Sequence, residues 1–314
     1  FAGRGLQLLE PLPHVAGIVA DDEPERIQRV LSTMEAELNE RTRLFSAARA
    51  ASFAEYRRGS GEHIVRRLLL IDGYPSFHEL YSGVERDRWI NLVRRLVVEG
   101  RQFGLHVVLS APRRDTVYSS VARSVGRWLV LRQTSSDDYR SLELPIDLLG
   151  DEPPPGRAIH NGRVAQVAIL GGRPDTESQV RAVGALVDEM GGRGFTSAPP
   201  IRLLPAEVDR RDLQRPRAAG LLDRDFSEWT MPETFRVFLV TGPRSSGRTT
   251  ALLTLGAAAA QRCDGGPTAD LDVIVLSAKP QALPIQPHWR AAVGDTEVRP
   301  VVDELVASVG SPSD

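Results

Sequence analysis

Apolar residues recur along the chain at two different spacings. Ile27, Val30, Leu31, Met34 and Leu38 share one face at helical spacing, and the run Asp21-Asp22-Glu23-Pro24 supplies acidic residues and a proline to cap that helix. The helix continues toward Leu44-Phe45, and a second short one covers Ser52 to Tyr56. Trp89, Leu92, Val93, Leu96 and Val97 mark another helix from about Arg86 to Gly100, and Thr176 to Met190 forms one more. Short continuous apolar runs read instead as buried strands: 12–20, 64–71, 104–109, 128–131, 235–240 and 271–276. Asn161-Gly162 sits at the turn of a hairpin over Arg157 to Leu170. Strands alternating with helices predict an α/β fold, a mostly parallel sheet with helices on both faces. The stretch GGRGFTSAPP at 191–200 is a linker by composition and divides residues 1–190 from 201–314.

The 235–240 strand leads into Gly242-Pro243-Arg244-Ser245-Ser246-Gly247-Arg248-Thr249-Thr250, and an alanine- and leucine-rich helix follows. Strand, glycine loop and helix are the setting of a phosphate-binding loop. Gly242 and Gly247 permit backbone angles that bring successive N–H groups onto phosphate oxygens, and the helix start adds its positive end. An ordinary glycine-rich strand–helix turn is the alternative. These residues are the candidate nucleotide site, with ATP and Mg²⁺ as the expected cofactors. Thr249, through its hydroxyl, and Asp72 are the candidate Mg²⁺ ligands. Asp72 closes the 64–71 strand and resembles a Walker B carboxylate, for which the alternative is a turn-forming strand end. Arg248 stands where the loop motif has lysine, and its planar fork does not replace a compact ammonium between the β- and γ-phosphates.

Composition narrows the partners. Hydrophobic content of 41% and charged content of 25% suit a globular chain with a sizeable core, and a formal charge of −2 carries no overall nucleic-acid footprint. Lys279 is the only lysine, a bias that points to a GC-rich genome and weakens a functional reading of Arg248. Cys263 is alone, which excludes an intrachain disulfide, and no apolar run is long enough to span a bilayer. The six histidines fall at no metal-ligand spacing, and His14 and His106, on expected strands, read as core residues. The start at Phe1, without an initiator methionine, suggests a piece of something longer. An internal repeat is also expected: Pro13-His14 and Asp21 match Pro287-His288 and Asp295 at a common offset, each followed by a helical apolar face.

With these pieces placed, the chain resembles the FtsK/SpoIIIE family of RecA-like motor ATPases, most of all its tandem type VII secretion members (EccC/EssC-like). The resemblance is carried by LPHVAGIVADD (12–22), LLLID (68–72), GRQFGLHVVLSAPR (100–113), RWLVLRQTSSDDYRSL (127–142) and PPGRAIHNGRVAQVAIL (154–170). It implies a RecA-like P-loop fold, ATP bound at subunit or module interfaces, and assembly with neighbouring ATPase modules of the same chain or a hexamer. It further implies a secreted protein substrate or DNA, and a place at the cytoplasmic face of the plasma membrane through an N-terminal part of a membrane-anchored parent. Residues 1–190 would be the Walker B side of one module and 201–314 the Walker A side of the next; closure of the two as one permuted domain is the alternative.

The departures from the family weigh equally. Hydrolysing members usually show Asp-Glu where this chain has Asp72-Gly73, a glutamine sensor where it reads Ser110-Ala111-Pro112-Arg113, and lysine in place of Arg248. Phosphoryl transfer relies on positioned electrostatics, so three such losses argue against turnover. Arg113 and Arg132 match possible sensor or arginine-finger positions. For Arg113 the alternative is a salt-bridge partner, and for Arg132 a pair with Asp137 or Asp138. The expected function is a degenerate, regulatory nucleotide-binding module of a type VII secretion motor. A DNA-translocating module and a ligand-free structural spacer remain the other readings.

Overall fold

A computed structural model describes residues 5–83, 87–145, 148–150, 152–223, 225–232, 238–261, 274–277, 290–293 and 295–310. The chain divides into two compact units, Phe1–Leu203 and Leu204–Asp314.

The first unit opens with the long helix α1 (Pro24–Ala47), whose proline at the first turn has its φ preset for a helix. Glu23 holds the entry: its carboxylate accepts the Ala20 N–H (2.9 Å) and pairs with Arg26 (2.6 Å), and these contacts lower its pKa. Helix α2 (Phe53–Ser60) begins with a capping box, Ser52 accepting the Glu55 N–H and Glu55 accepting that of Ala51. Strand β1 (Arg67–Ile71), helix α3 (Tyr74–Tyr81), helix α4 (Asp87–Glu99) and strand β2 (Leu105–Leu109) follow. β1 and β2 pair in parallel, Ile71 opposite Leu109. Leu31, Leu38 and Phe45 of α1, Tyr74 and Phe77 of α3, and Leu92, Val93 and Leu96 of α4 form the core over one face of this pair. The other face presents Leu68, Leu70 and Val108 to solvent.

A short helix α5 (Ser119–Ala122) leads to strand β3 (Leu129–Leu131), helix α6 (Ser136–Ser141) and the hairpin of β4 (Arg157–His160) and β5 (Arg163–Gln166). These three strands make an antiparallel sheet in the order β3-β4-β5. Asn161 and Gly162 both have positive φ, 50° and 71°, as the tight turn requires. Helix α7 (Thr176–Gly192), capped by Asp175, closes the unit.

In the second unit, β6 (Ala218–Leu221) pairs antiparallel with β7 (Glu228–Thr230), and helix α8 (Arg248–Ala259) packs Leu255 and Ala258 around Met231. β8 (Ile274–Ser277) and β9 (Arg290–Val293) form a second parallel pair, followed by α9 (Asp295–Gly310).

Several expectations need correction. Residues 12–20 are not a strand of a sheet: only Leu12 is buried, and the segment is tethered by the N–H groups of Ala198 and Ile201, which donate to Pro13 O (2.7 Å) and Ala16 O (2.9 Å). The expected linker therefore begins inside α7 and ends tied to the start of its own unit. His14 is accordingly exposed, and His106 is half-buried. Of the strand expected before the glycine loop, 235–237 lie outside the described residues and 238–240 carry no strand pairing. Cys263, Lys279 and Pro287-His288 also lie outside them.

Arg41 ties the first unit together. It is 2% exposed and donates to Phe103 O (2.7 Å), to Val65 O (2.6 Å) and to Glu37 of its own helix (2.8 Å). Glu37 also faces Arg67 at 3.3 Å. Burial pushes the Glu37 carboxyl up, but the Arg41 hydrogen bond and the charges of Arg67 and Arg41 outweigh it and leave the pKa lowered. Replacing Arg41 by alanine is expected to cost about 3 kcal/mol, read by urea unfolding, because Glu37 and two backbone carbonyls lose their donor. Since the folded pKa of Glu37 is depressed, its contribution is complete above the ordinary value of 4.5 and disappears as pH falls through the folded value. Glu37→Gln should flatten that part of an acid-unfolding curve.

Candidate functional site

The glycine loop is built by its backbone. Residues 241–250 are all exposed. Ser245 and Gly247 take positive φ, 66° and 84°, and Gly247 caps α8. A Cβ on Gly242 would stand 2.3 Å from Ser246 Oγ and 3.1 Å from Ser246 Cβ, so a larger residue there would displace the Ser246 side chain. The Ser246 N–H donates to Pro243 O at 3.3 Å. The first bond of the helix runs from Ala251 N–H to Gly247 O (2.8 Å), which leaves the N–H groups of Arg248, Thr249 and Thr250 without acceptors inside the helix. Left-handed residues beside a helix start whose first N–H groups are free are a combination found at anion-binding loops. Arg244, Arg248, Thr249 and Thr250 are exposed.

The opposite end of α8 is held by two arginines that the sequence reading missed. Arg210 donates to Pro216 O (2.9 Å), Ala257 O (3.4 Å) and Gln261 Oε1 (2.7 Å). Arg217 donates to Gln261 O (3.3 Å) and Pro232 O (2.8 Å). Cations at this end satisfy the terminal carbonyls and oppose the negative pole of the helix. The helix is thus anchored by its tail, with its N-terminus facing solvent.

In the first unit, Asp72 follows β1 and is half-buried. The Ser110 hydroxyl donates to Asp72 Oδ1 and accepts the Gly73 N–H (2.8 Å). The Ser110 backbone continues the stitching, its N–H on Ile71 O (3.0 Å) and its carbonyl taking the Tyr74 N–H (2.9 Å). A carboxylate has room for about four hydrogen-bond donors, so Asp72 retains capacity for a hard cation beside Ser110. Gly73 stands at φ 77° and ψ 56° as the cap of α3. A glutamate at this position would occupy a left-handed conformation that side chains resist.

Arg113 turns into its own loop, its Nε 3.5 Å from Asp115. Arg132 is exposed at the end of β3 and has no ion pair among the described residues; Asp137 pairs with Arg140 of α6 instead. The described residues include no cluster of histidine, cysteine, aspartate and glutamate able to hold a metal, and none of their helices is long and apolar enough to cross a membrane.

The model of the FtsK/SpoIIIE family matches residues 1–170. The ESX-1 secretion system protein EccCb1 of Mycobacterium tuberculosis is 28% identical over 279 residues, covering 80% of this chain and 45% of that protein. EccCb1 of Mycolicibacterium smegmatis is 29% identical over 247 residues, 74% of this chain and 40% of that protein. The chain thus spans less than half the length of these relatives. Among solved structures, Thermomonospora curvata EccC (ATPases 2 and 3), in complex with a signal sequence peptide, superposes with a TM-score of 0.69 at 21% identity, over 100% of this chain and 59% of that one. EssC (ATPases 2 and 3) from Geobacillus thermodenitrificans gives 0.70 at 16% identity, over 98% and 60%. These similarities establish an α/β, RecA-like fold.

Because Ser110 serves both Asp72 and Gly73, Ser110→Ala should lower stability by about 1–2 kcal/mol in denaturant titration, while Ser110→Thr, which keeps the hydroxyl, should recover most of it.

Proposed function

The chain belongs to the FtsK/SpoIIIE family, and from that premise we propose that it is a nucleotide-binding, ATPase-type part of a type VII secretion protein whose hydrolytic groups have lapsed. The observation that carries this reading is the contrast between the two half-sites. The glycine loop keeps a backbone suited to phosphate, whereas position 73 is a left-handed glycine where a water-activating carboxylate would stand.

In this reading the N–H groups of the loop and of the first turn of α8 bind the phosphates of ATP, and Arg248 and Arg244 neutralise their charge. Thr249 presents its hydroxyl to Mg²⁺, which supplies Lewis-acid charge compensation when bound. Asp72, positioned by Ser110, is the Walker B carboxylate of its own module. Arg248 holds charge without reaching between the β- and γ-phosphates as a lysine would, and Gly73 positions no water. Arg113 and Arg132 are the sensor or arginine-finger candidates for a neighbouring module's nucleotide. Residues 1–190 and 201–314 then belong to successive modules, joined through 191–200, and the partners are further ATPase modules of the same chain or of a hexamer.

A secreted protein is the favoured substrate, by parallel with the relative solved with a signal sequence peptide. The longer parent would place the chain at the cytoplasmic face of the plasma membrane. DNA is the second reading; a formal charge of −2 disfavours it.

Calorimetric titration with a non-hydrolysable ATP analogue, with and without Mg²⁺, should show saturable binding that Gly242→Val abolishes. Phosphate release should stay near background. Rapid Mg²⁺-dependent turnover, lost on altering Arg248 or Gly73, would overturn the lapsed-site reading. Absence of analogue binding would leave a structural spacer, and salt-sensitive DNA binding would favour the translocase.

A further inference from the structure

We propose that the outer edge of β5 is a dimerisation surface, where the strand pairs antiparallel with the same strand of a second copy of this chain about a two-fold axis. β5 is the last strand of its sheet, with β4 on one side and no strand on the other among the described residues. The Val167 N–H donates back to Gly156 O (2.9 Å), so Val167, and with it Ala165 and Arg163, turn their backbone groups toward β4. Alternation along an antiparallel strand then aims the N–H and C=O groups of Val164, Gln166 and Ala168 away from the sheet. The Gln166 side chain leaves that edge clear: it accepts from Arg157 Nε and donates to Pro155 O, both at 2.9 Å and within its own hairpin.

Exposed edges are ordinarily blunted by a charge, a proline or a bulge. From Val164 to Leu170 the chain reads VAQVAIL, without charge or proline, and the β4–β5 register runs without a shift. Val164, Val167 and Ile169 are 43%, 42% and 42% exposed, so much of their apolar surface lies in water.

The strand is its own complement. The two-fold register centred on Gln166 is the one that engages all three outward residues of each copy. Val164 then exchanges both bonds with the partner's Ala168, and Gln166 with the partner's Gln166, giving about six backbone hydrogen bonds. The same register sets Ala165 against the partner's Val167 and Arg163 against the partner's Ile169, so no charge faces a like charge. A two-fold pair closes the edge in both molecules at once, whereas an extended peptide from another protein would close it in one. A strand pair this short buries less than a standard interface, which makes the dimer concentration-dependent.

Sedimentation velocity of the full chain over a range of concentrations is the test, and the average mass should rise from monomer toward dimer. Ala168→Pro deletes an outward N–H without touching the bonds to β4, and should raise the dissociation constant about tenfold with unchanged circular dichroism. Val164→Lys gives the same reading without a proline. Adding Ala168→Glu to Val164→Lys should restore the dimer, since the two positions face each other across the axis. Val180→Lys, at an exposed valine of α7, should change nothing. A chain monomeric at every concentration, a dimer indifferent to Ala168→Pro and Val164→Lys, equal loss with Val180→Lys, or no recovery in the double variant would each overturn the proposal. So would binding of the synthetic peptide RVAQVAIL by a chain that stays monomeric.

Discussion

A guanidinium almost wholly removed from water must find acceptors for its protons, and in the first unit Arg41 finds them on three separate pieces of chain. Its bonds to Phe103 O and Val65 O fix the points where the chain enters β2 and β1, and Glu37 balances its charge from within α1. The parallel register of the two strands, and with it the meeting of Ser110 with Asp72 at their far ends, follows from entry points held in this way. Apolar burial supplies the bulk of the stabilising free energy, but it is non-directional. The Arg41 bonds have direction, and they set which residue of one strand stands opposite which of the other.

The second unit uses arginine differently. Arg210 and Arg217 gather the carbonyls at the tail of α8, while Leu255 and Ala258 hold its flank against Met231. Among the described residues nothing so buried holds the head of the helix, where residues 241–250 are all exposed. Bonds at the tail and exposure at the head are the arrangement expected of an anion site whose donors are backbone groups.

Much of this was legible in the sequence. Pro24 after three acidic residues, with apolar residues at helical spacing, announces α1, and Asn161-Gly162 announces its hairpin, because both signals are local. The glycine loop was legible for the same reason. The 12–20 run misled because apolar content alone does not say whether a sheet edge is available to receive a strand. Helix α3 was hidden behind Asp72-Gly73, which looks like a turn; the aromatic stripe of Tyr74, Phe77 and Tyr81 and the proline at position 75 were its signal. The Ser110–Asp72 contact spans 38 positions and appears only once Ile71 is set against Leu109. Arg210 and Arg217 lie among so many arginines that composition could not single them out.

The open side of the β1–β2 pair bears on how this chain tolerates change. Leu68, Leu70 and Val108 alternate with inward-facing neighbours, yet their side chains are largely solvated. Parallel strands ordinarily sit between two covering layers, where replacing leucine by a hydrophilic residue is severely punished. Here the penalty vanishes on one side. Drift toward threonine or glutamine at these three sites would leave the fold of this polypeptide intact and make it less prone to self-association, so leucine and valine at these sites are not explained by the packing of this chain alone.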